Sequence, residues 1–130
     1  MARRLCWPAT LTALLACPLF AQDDASGDIK YNRDIRPILA EHCFACHGTD
    51  SVARKADLRL DQRDAAIDSG AISANHPDDS ELIARIESDD ADVVMPPPTT
   101  KKTMTAQQKN LLRQWIESGA EYEALSLIHI

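Results

Sequence analysis

The chain has 130 residues and a formal net charge of −6 at pH 7, which bounds it to one modest domain and argues against nucleic acid as a partner, since phosphates call for a basic face. Only 5% of the residues are aromatic, so a core made of side chains alone would be thin for this length.

The N-terminal end reads as a processing segment. Arg3 and Arg4 precede a mostly apolar run from Leu5 to Ala16, and the sequence turns polar at Gln22. That order describes a secretory signal peptide over residues 1–21 and predicts export to the periplasm or beyond the cytoplasmic membrane. The apolar run is too short for a lasting span. "LLAC" at 14–17 resembles a lipobox in which Cys17 would carry a lipid, although Pro18 sits awkwardly behind it. The paired arginines also fit a twin-arginine signal, but "ARRLCWP" lacks the rest of that pattern. Cleavage would remove two arginines and no acid, moving the formal charge from −6 to −8.

Residues 22–30, "QDDASGDIK", read as a flexible lead-in. Residues 31–124 form the candidate domain, with four helical segments and no convincing alternating strand pattern. The first helix is expected in "NRDIRPILAEHCF", capped by Asn32 or Asp34, with Ile35, Ile38, Leu39 and His42 on one face. The second, "DQRDAAIDSG", stops at Gly70. The third, "PDDSELIARIESDD", enters through Pro77 and its aspartates and buries Leu82, Ile83 and Ile86. The fourth opens with a capping box, Thr105 and Gln108, carries the stripe Leu111, Leu112, Trp115 and Ile116, and ends at Gly119. The tail "LSLIHI", residues 125–130, matches the translation of a transposase adapter used in sequencing libraries. It is read as a read-through scar, with the natural protein expected to continue past Ala124.

The chemistry concentrates at Cys43-Phe44-Ala45-Cys46-His47. Zinc would need a second ligand pair, and only the isolated His76, or His42 in crowded geometry, offers itself. A thioredoxin-like switch would want a preceding strand, whereas a capped helix precedes this motif. A C-x-x-C-H spacing fits covalent attachment of haem c: two thiols meet two vinyl groups and the adjoining histidine takes the iron. That assignment asks for a sixth ligand from a later loop. "VVMPPPTTKK" offers Met95 on a proline-stiffened backbone, with Met104 and His76 as rivals.

With these motifs in hand, "YNRDIRPILAEHCFACHG", "ADLRLDQRDAAIDSG", "DDSELIARI", "VMPPP" and "MTAQQKNLLRQWIESGAEYE" resemble the planctomycete-type cytochrome c domain over residues 31–123. The resemblance implies an all-α, class I cytochrome c-like fold of about four short helices around one covalently bound haem. It implies Cys43 and Cys46 as thioether links, His47 as proximal ligand and Met95 as distal ligand. Relatives more often carry a Gly-Asp-Pro turn where this chain has Asn75, His76 and Pro77.

Among the remaining candidates, His42 is expected to be a satisfied core histidine, His76 a solvated turn residue and Met104 a packing residue. Trp115 and Leu111 are expected to join the first and last helices. Arg59 is either a propionate partner or a surface cation, and "TKKT" is a small basic patch beside the Met95 loop. The expected function is outer-sphere electron transfer to unidentified redox partner proteins within a larger exported protein. No nucleic acid is expected, and a membrane is engaged only through Cys17 or a missing C-terminal part. The alternatives are a peroxidase-like enzyme or a ligand sensor with a labile Met95.

Overall fold

The computed structural model describes residues 28–124. The signal peptide, the Cys17 lipobox, most of the lead-in and the 125–130 tail lie outside these residues. Among the described residues the regular structure is helical and no strand forms. Four α-helices follow in order: α1 Arg36–His42, α2 Arg63–Asp68, α3 Glu81–Ile86 and α4 Ala106–Glu117. No helix among them is long and apolar enough to cross a membrane.

The start of α1 departs from the expected cap. Tyr31–Ile35 form a single π turn, closed by the Arg36 N–H on the Tyr31 carbonyl. Pro37 sits in the first turn of α1. Its ring would collide with the carbonyl four residues back in a regular helix, and a widened turn relieves that crowding. Asn32 therefore does not cap; its Nδ2 donates to the Ala124 carbonyl at 3.2 Å. Asp34 does the anchoring, accepting from the Lys30 N–H at 2.9 Å while its own N–H donates to the Lys30 carbonyl at 2.7 Å.

The third helix is shorter than its pattern, because Pro77–Asp79 form a separate 3₁₀ turn. Ser80, at the junction, is 1% exposed. Instead of capping α3, its hydroxyl accepts from the Ser73 N–H at 2.8 Å and donates toward the His76 carbonyl at 3.0 Å. The unusual turn is settled here too. Asn75 adopts a left-handed φ of 67° and donates its N–H to the Ile116 carbonyl near the end of α4 at 2.8 Å. Asparagine tolerates that conformation better than most side chains. The α4 capping box forms as expected, with Gln108 N–H on Thr105 Oγ1 at 3.1 Å and Thr105 N–H on Gln108 Oε1 at 3.0 Å.

α4 packs across the π turn and α3. The core consists mainly of Ile35, Leu39, Ile72, Ile83, Leu112 and Ile116, all fully buried. Trp115 joins Tyr31, with ring centroids 5.7 Å apart, and Tyr122 stacks on Tyr31 at 4.4 Å. The first–last contact expected of Trp115 thus runs through the turn that leads α1, while Leu111 is only partly buried. Two of the aromatic polar handles find backbone acceptors: Trp115 Nε1–H donates to Glu121 O at 2.9 Å and Tyr122 O–H to Leu60 O at 2.6 Å. Arg63 closes the end of α4, donating to the Ala120 and Gly119 carbonyls at 2.9 and 3.1 Å. Arg113 bridges α4 to both Glu87 and Asp78 on the surface.

Candidate functional site

Helix α1 ends at His42, and the next residues wind into a tight hydrogen-bonded turn. His47 N–H donates to the Cys43 carbonyl at 2.8 Å and Cys46 N–H to the same oxygen at 3.2 Å. The following loop returns to hold this turn: Lys55 N–H bonds Cys46 O at 2.7 Å, and Leu60 N–H bonds His47 O at 2.9 Å. The motif is therefore fixed by backbone bonds on both sides before any side chain acts.

The His47 ring lies close to the same loop, with Nδ1 3.2 Å from the Lys55 carbonyl. A carbonyl can only accept, so Nδ1 carries the proton and Nε2 keeps its lone pair. Burial, aided by the positive charge of Arg85, lowers the His47 pKa, while the bond to Lys55 opposes that shift. The net direction favours the neutral imidazole, which is the state that binds metals. Cys43 behaves differently. Burial pushes its thiol up to about 12, against the smaller pull of Lys102. A site that stabilises the protonated thiol is the opposite of what a thiolate switch requires. Neither Cys43 nor Cys46 is in a disulfide.

Met95 arrives from the loop after α3. Its N–H donates to the Arg85 carbonyl at 3.1 Å, so the loop is pinned to the end of that helix. Pro96 follows through a cis peptide bond, Pro97 is extended, and Pro98–Thr100 form a 3₁₀ turn.

Cys43, Cys46, His47 and Met95 all line one cavity of about 340 Å³. Leu58, Leu60, Leu82 and Ile86 supply much of the rest of its wall. Two thiols, an imidazole and a thioether facing an apolar space suit a large flat apolar group carrying a metal. Among the described residues no three His, Cys, Asp or Glu side chains gather as a metal-holding group, so a protein-only zinc set is not assembled. A larger cleft of about 760 Å³ lies by Tyr31, Arg36 and Tyr122, is edged by Asp61, Arg63 and Asp64, and holds none of the four.

The rival residues fall elsewhere. Met104 is partly buried against the core, and His76 is an exposed turn residue. The Arg59 guanidinium is engaged by Asp61 through bonds of 3.2 and 2.6 Å, and it does not line the cavity. His42 requires a correction. It is buried as expected, with its side chain 4% exposed, but it is not satisfied: neither ring nitrogen has a hydrogen-bond partner. The Glu41 carboxylate is 3.8 Å from Nε2, beyond hydrogen-bond reach. His42 also lines the cavity.

Two further residues shape the site and escaped the sequence reading. Gly48 is buried, and a Cβ there would fall 2.4 Å from the Phe44 carbonyl oxygen. The only sequence cue was a glycine directly after the histidine. Arg54 donates to the Gly48 carbonyl at 3.0 Å and to the Thr49 carbonyl at 3.3 Å, clamping the exit of the motif. No local pattern marks it.

Residues 43–99 match the family model for planctomycete cytochrome C. The match begins at the first motif cysteine and ends just beyond the prolines that follow Met95, so it spans the same two segments that meet at the cavity. No curated protein and no solved structure gave a significant match to the chain.

Proposed function

We propose that this segment, of planctomycete cytochrome c type, is an electron carrier holding a single c-type haem, with thioether links to Cys43 and Cys46 and axial ligation by His47 and Met95. The observation that carries the proposal is the meeting of these four side chains, from two distant segments, around one apolar cavity. When bound, the haem supplies an iron centre that exchanges one electron reversibly.

The chain's own contributions follow from the site. Cys43 and Cys46 sit on a turn whose backbone is bonded on both sides, so the anchor points are rigid. His47 is oriented by the Lys55 carbonyl and kept neutral by burial. A carbonyl accepting from the second ring nitrogen raises the basicity of the first. Met95 contributes a thioether, which raises the reduction potential relative to a second imidazole. Leu58, Leu60, Leu82 and Ile86 give the cavity an apolar wall that would shield the bound group from water. None of this requires a substrate or a proton transfer, so the domain itself is a carrier and not an enzyme.

The proposal extends to the protein's setting. Residues 1–21 direct export, and the domain serves redox partner proteins as one part of a larger chain. Lys101 and Lys102 are exposed beside the Met95 loop and suit an acidic partner surface.

The test is periplasmic expression of residues 22–124 with haem-attachment machinery. The expected product keeps its haem on a denaturing gel and gives a low-spin spectrum with a methionine–iron charge-transfer band. Met95→Ala loses that band and Met104→Ala keeps it. A product without covalent haem would overturn the proposal, and a high-spin resting form that binds CO rapidly would favour the sensor or peroxidase alternative.

A further inference from the structure

We infer that Arg85, opposed by Glu81 one helical turn before it, sets the reduction potential of the site: its guanidinium is a fixed positive charge that favours the reduced state of iron held by His47 and Met95. The inference rests on the haem assignment proposed above and deepens it, naming a residue that acts on the metal through space. Arg59, the cation expected near the site, is taken up by Asp61 and lies off the cavity. Among the described residues the cations that do line the cavity are Arg85 and Lys102, and Glu81 is its one carboxylate. Glu81 and Arg85 reach the wall together because they stand at i and i+4 on one face of α3.

The Arg85 side chain is held in place. Its Nε donates to Glu81 Oε1 at 3.0 Å, and its Nη1 donates to the Val93 carbonyl at 3.4 Å, across the gap to the Met95 loop. The residue is tied to both proposed ligands. Its main-chain carbonyl accepts from the Met95 N–H at 3.1 Å. Burial is the main cause of the lowered His47 pKa, and the Arg85 charge adds to it. A charge that disfavours a proton on the His47 ring also disfavours the extra positive charge of oxidised iron bound to that ring. Reduction takes one electron from a donor protein and oxidation passes it to an acceptor, with no bond made or broken. The charge at the metal therefore changes by one, and a neighbouring cation stabilises the smaller value. The Glu81 carboxylate opposes this effect. The Arg85 side chain is 40% exposed, so water weakens the effect without cancelling it.

The experiment measures reduction potentials of the exported, haem-loaded full chain and of its Arg85→Gln, Arg85→Lys and Glu81→Gln variants. Arg85→Gln is expected to lower the potential, Arg85→Lys to stay near wild type, and Glu81→Gln to raise it. Glutamine at 81 keeps an oxygen for the Arg85 Nε, so that variant changes charge more than shape. The methionine–iron charge-transfer band should persist in all three, because the carbonyl that pins Met95 belongs to the main chain. Far-ultraviolet circular dichroism checks the fold, and denaturing-gel haem staining tests the parent assignment separately. A wild-type chain without covalent haem overturns that assignment and this inference with it. With haem in place, an unchanged or raised potential in Arg85→Gln overturns the inference alone. So does a shift of equal size in Arg85→Lys, a lowered potential in Glu81→Gln, or loss of the band in Arg85→Gln, which would make Arg85 a support of the Met95 loop and not a source of field.

Discussion

Replacing Gly48 by alanine should damage the site more than any surface change of equal size. A Cβ at this position lies 2.4 Å from the Phe44 carbonyl oxygen, and ordinary contact begins at 3.4 Å, so about 1 Å of movement is required. Both sides of the clash are backbone, and no flexible side chain can yield. The displaced turn carries the His47 and Cys46 bonds to the Cys43 carbonyl, and the Gly48 carbonyl holds Arg54. Overpacking typically costs about 1–3 kcal/mol, and a backbone clash belongs near the upper end. At roughly 4–8 °C per kcal/mol for a domain of this size, the melting temperature should fall by about 10–20 °C. Gly70→Ala is the control. It has a left-handed φ of +80° but nothing within 4 Å of the added carbon, so only the backbone cost of about 1–2 kcal/mol applies. Thermal unfolding followed by circular dichroism, with the fraction of chains carrying haem, measures both variants. A Gly48→Ala protein that melts no lower than Gly70→Ala would refute the steric account.

Tyr122→Phe removes the donor to the Leu60 carbonyl and should cost about 1 kcal/mol by urea unfolding, with the aromatic stack on Tyr31 left in place. Thr105→Ala breaks the capping box and should cost about 0.5–2 kcal/mol in the same assay. Asp34 is held at about 2, first by its hydrogen bonds to Arg33 and then by the Lys30 N–H. Its folded pKa lies below its ordinary 3.8, so its contribution is present above that value and fades as pH falls toward 2. Asp34→Asn should therefore flatten the acid limb of the stability profile in that window, and an unchanged limb would show that other carboxylates carry it.

The sequence by itself determined the parts of this protein that depend on local chemistry. The spacing of Cys43, Cys46 and His47 speaks for itself, because the three belong to one turn. The α4 capping box was legible because Thr105 and Gln108 satisfy each other three residues apart. Met95 was read as a candidate by asking what the motif lacked, and it lines the same cavity as the motif. Pattern could not show that Pro37 would widen the first turn, because the outcome balances a steric clash against an alternative ring of hydrogen bonds. Nor could it show that the Ser80 hydroxyl would serve the Ser73–His76 loop rather than its own helix. His42 marks the boundary most clearly. Its place on the apolar face of α1 was readable from the period of the helix. Whether its nitrogens would find partners depended on what the returning loops brought against it, and they brought none. Tertiary structure alone decides such matters, because hydrogen-bond satisfaction belongs to the neighbours in space and not to the residues on either side.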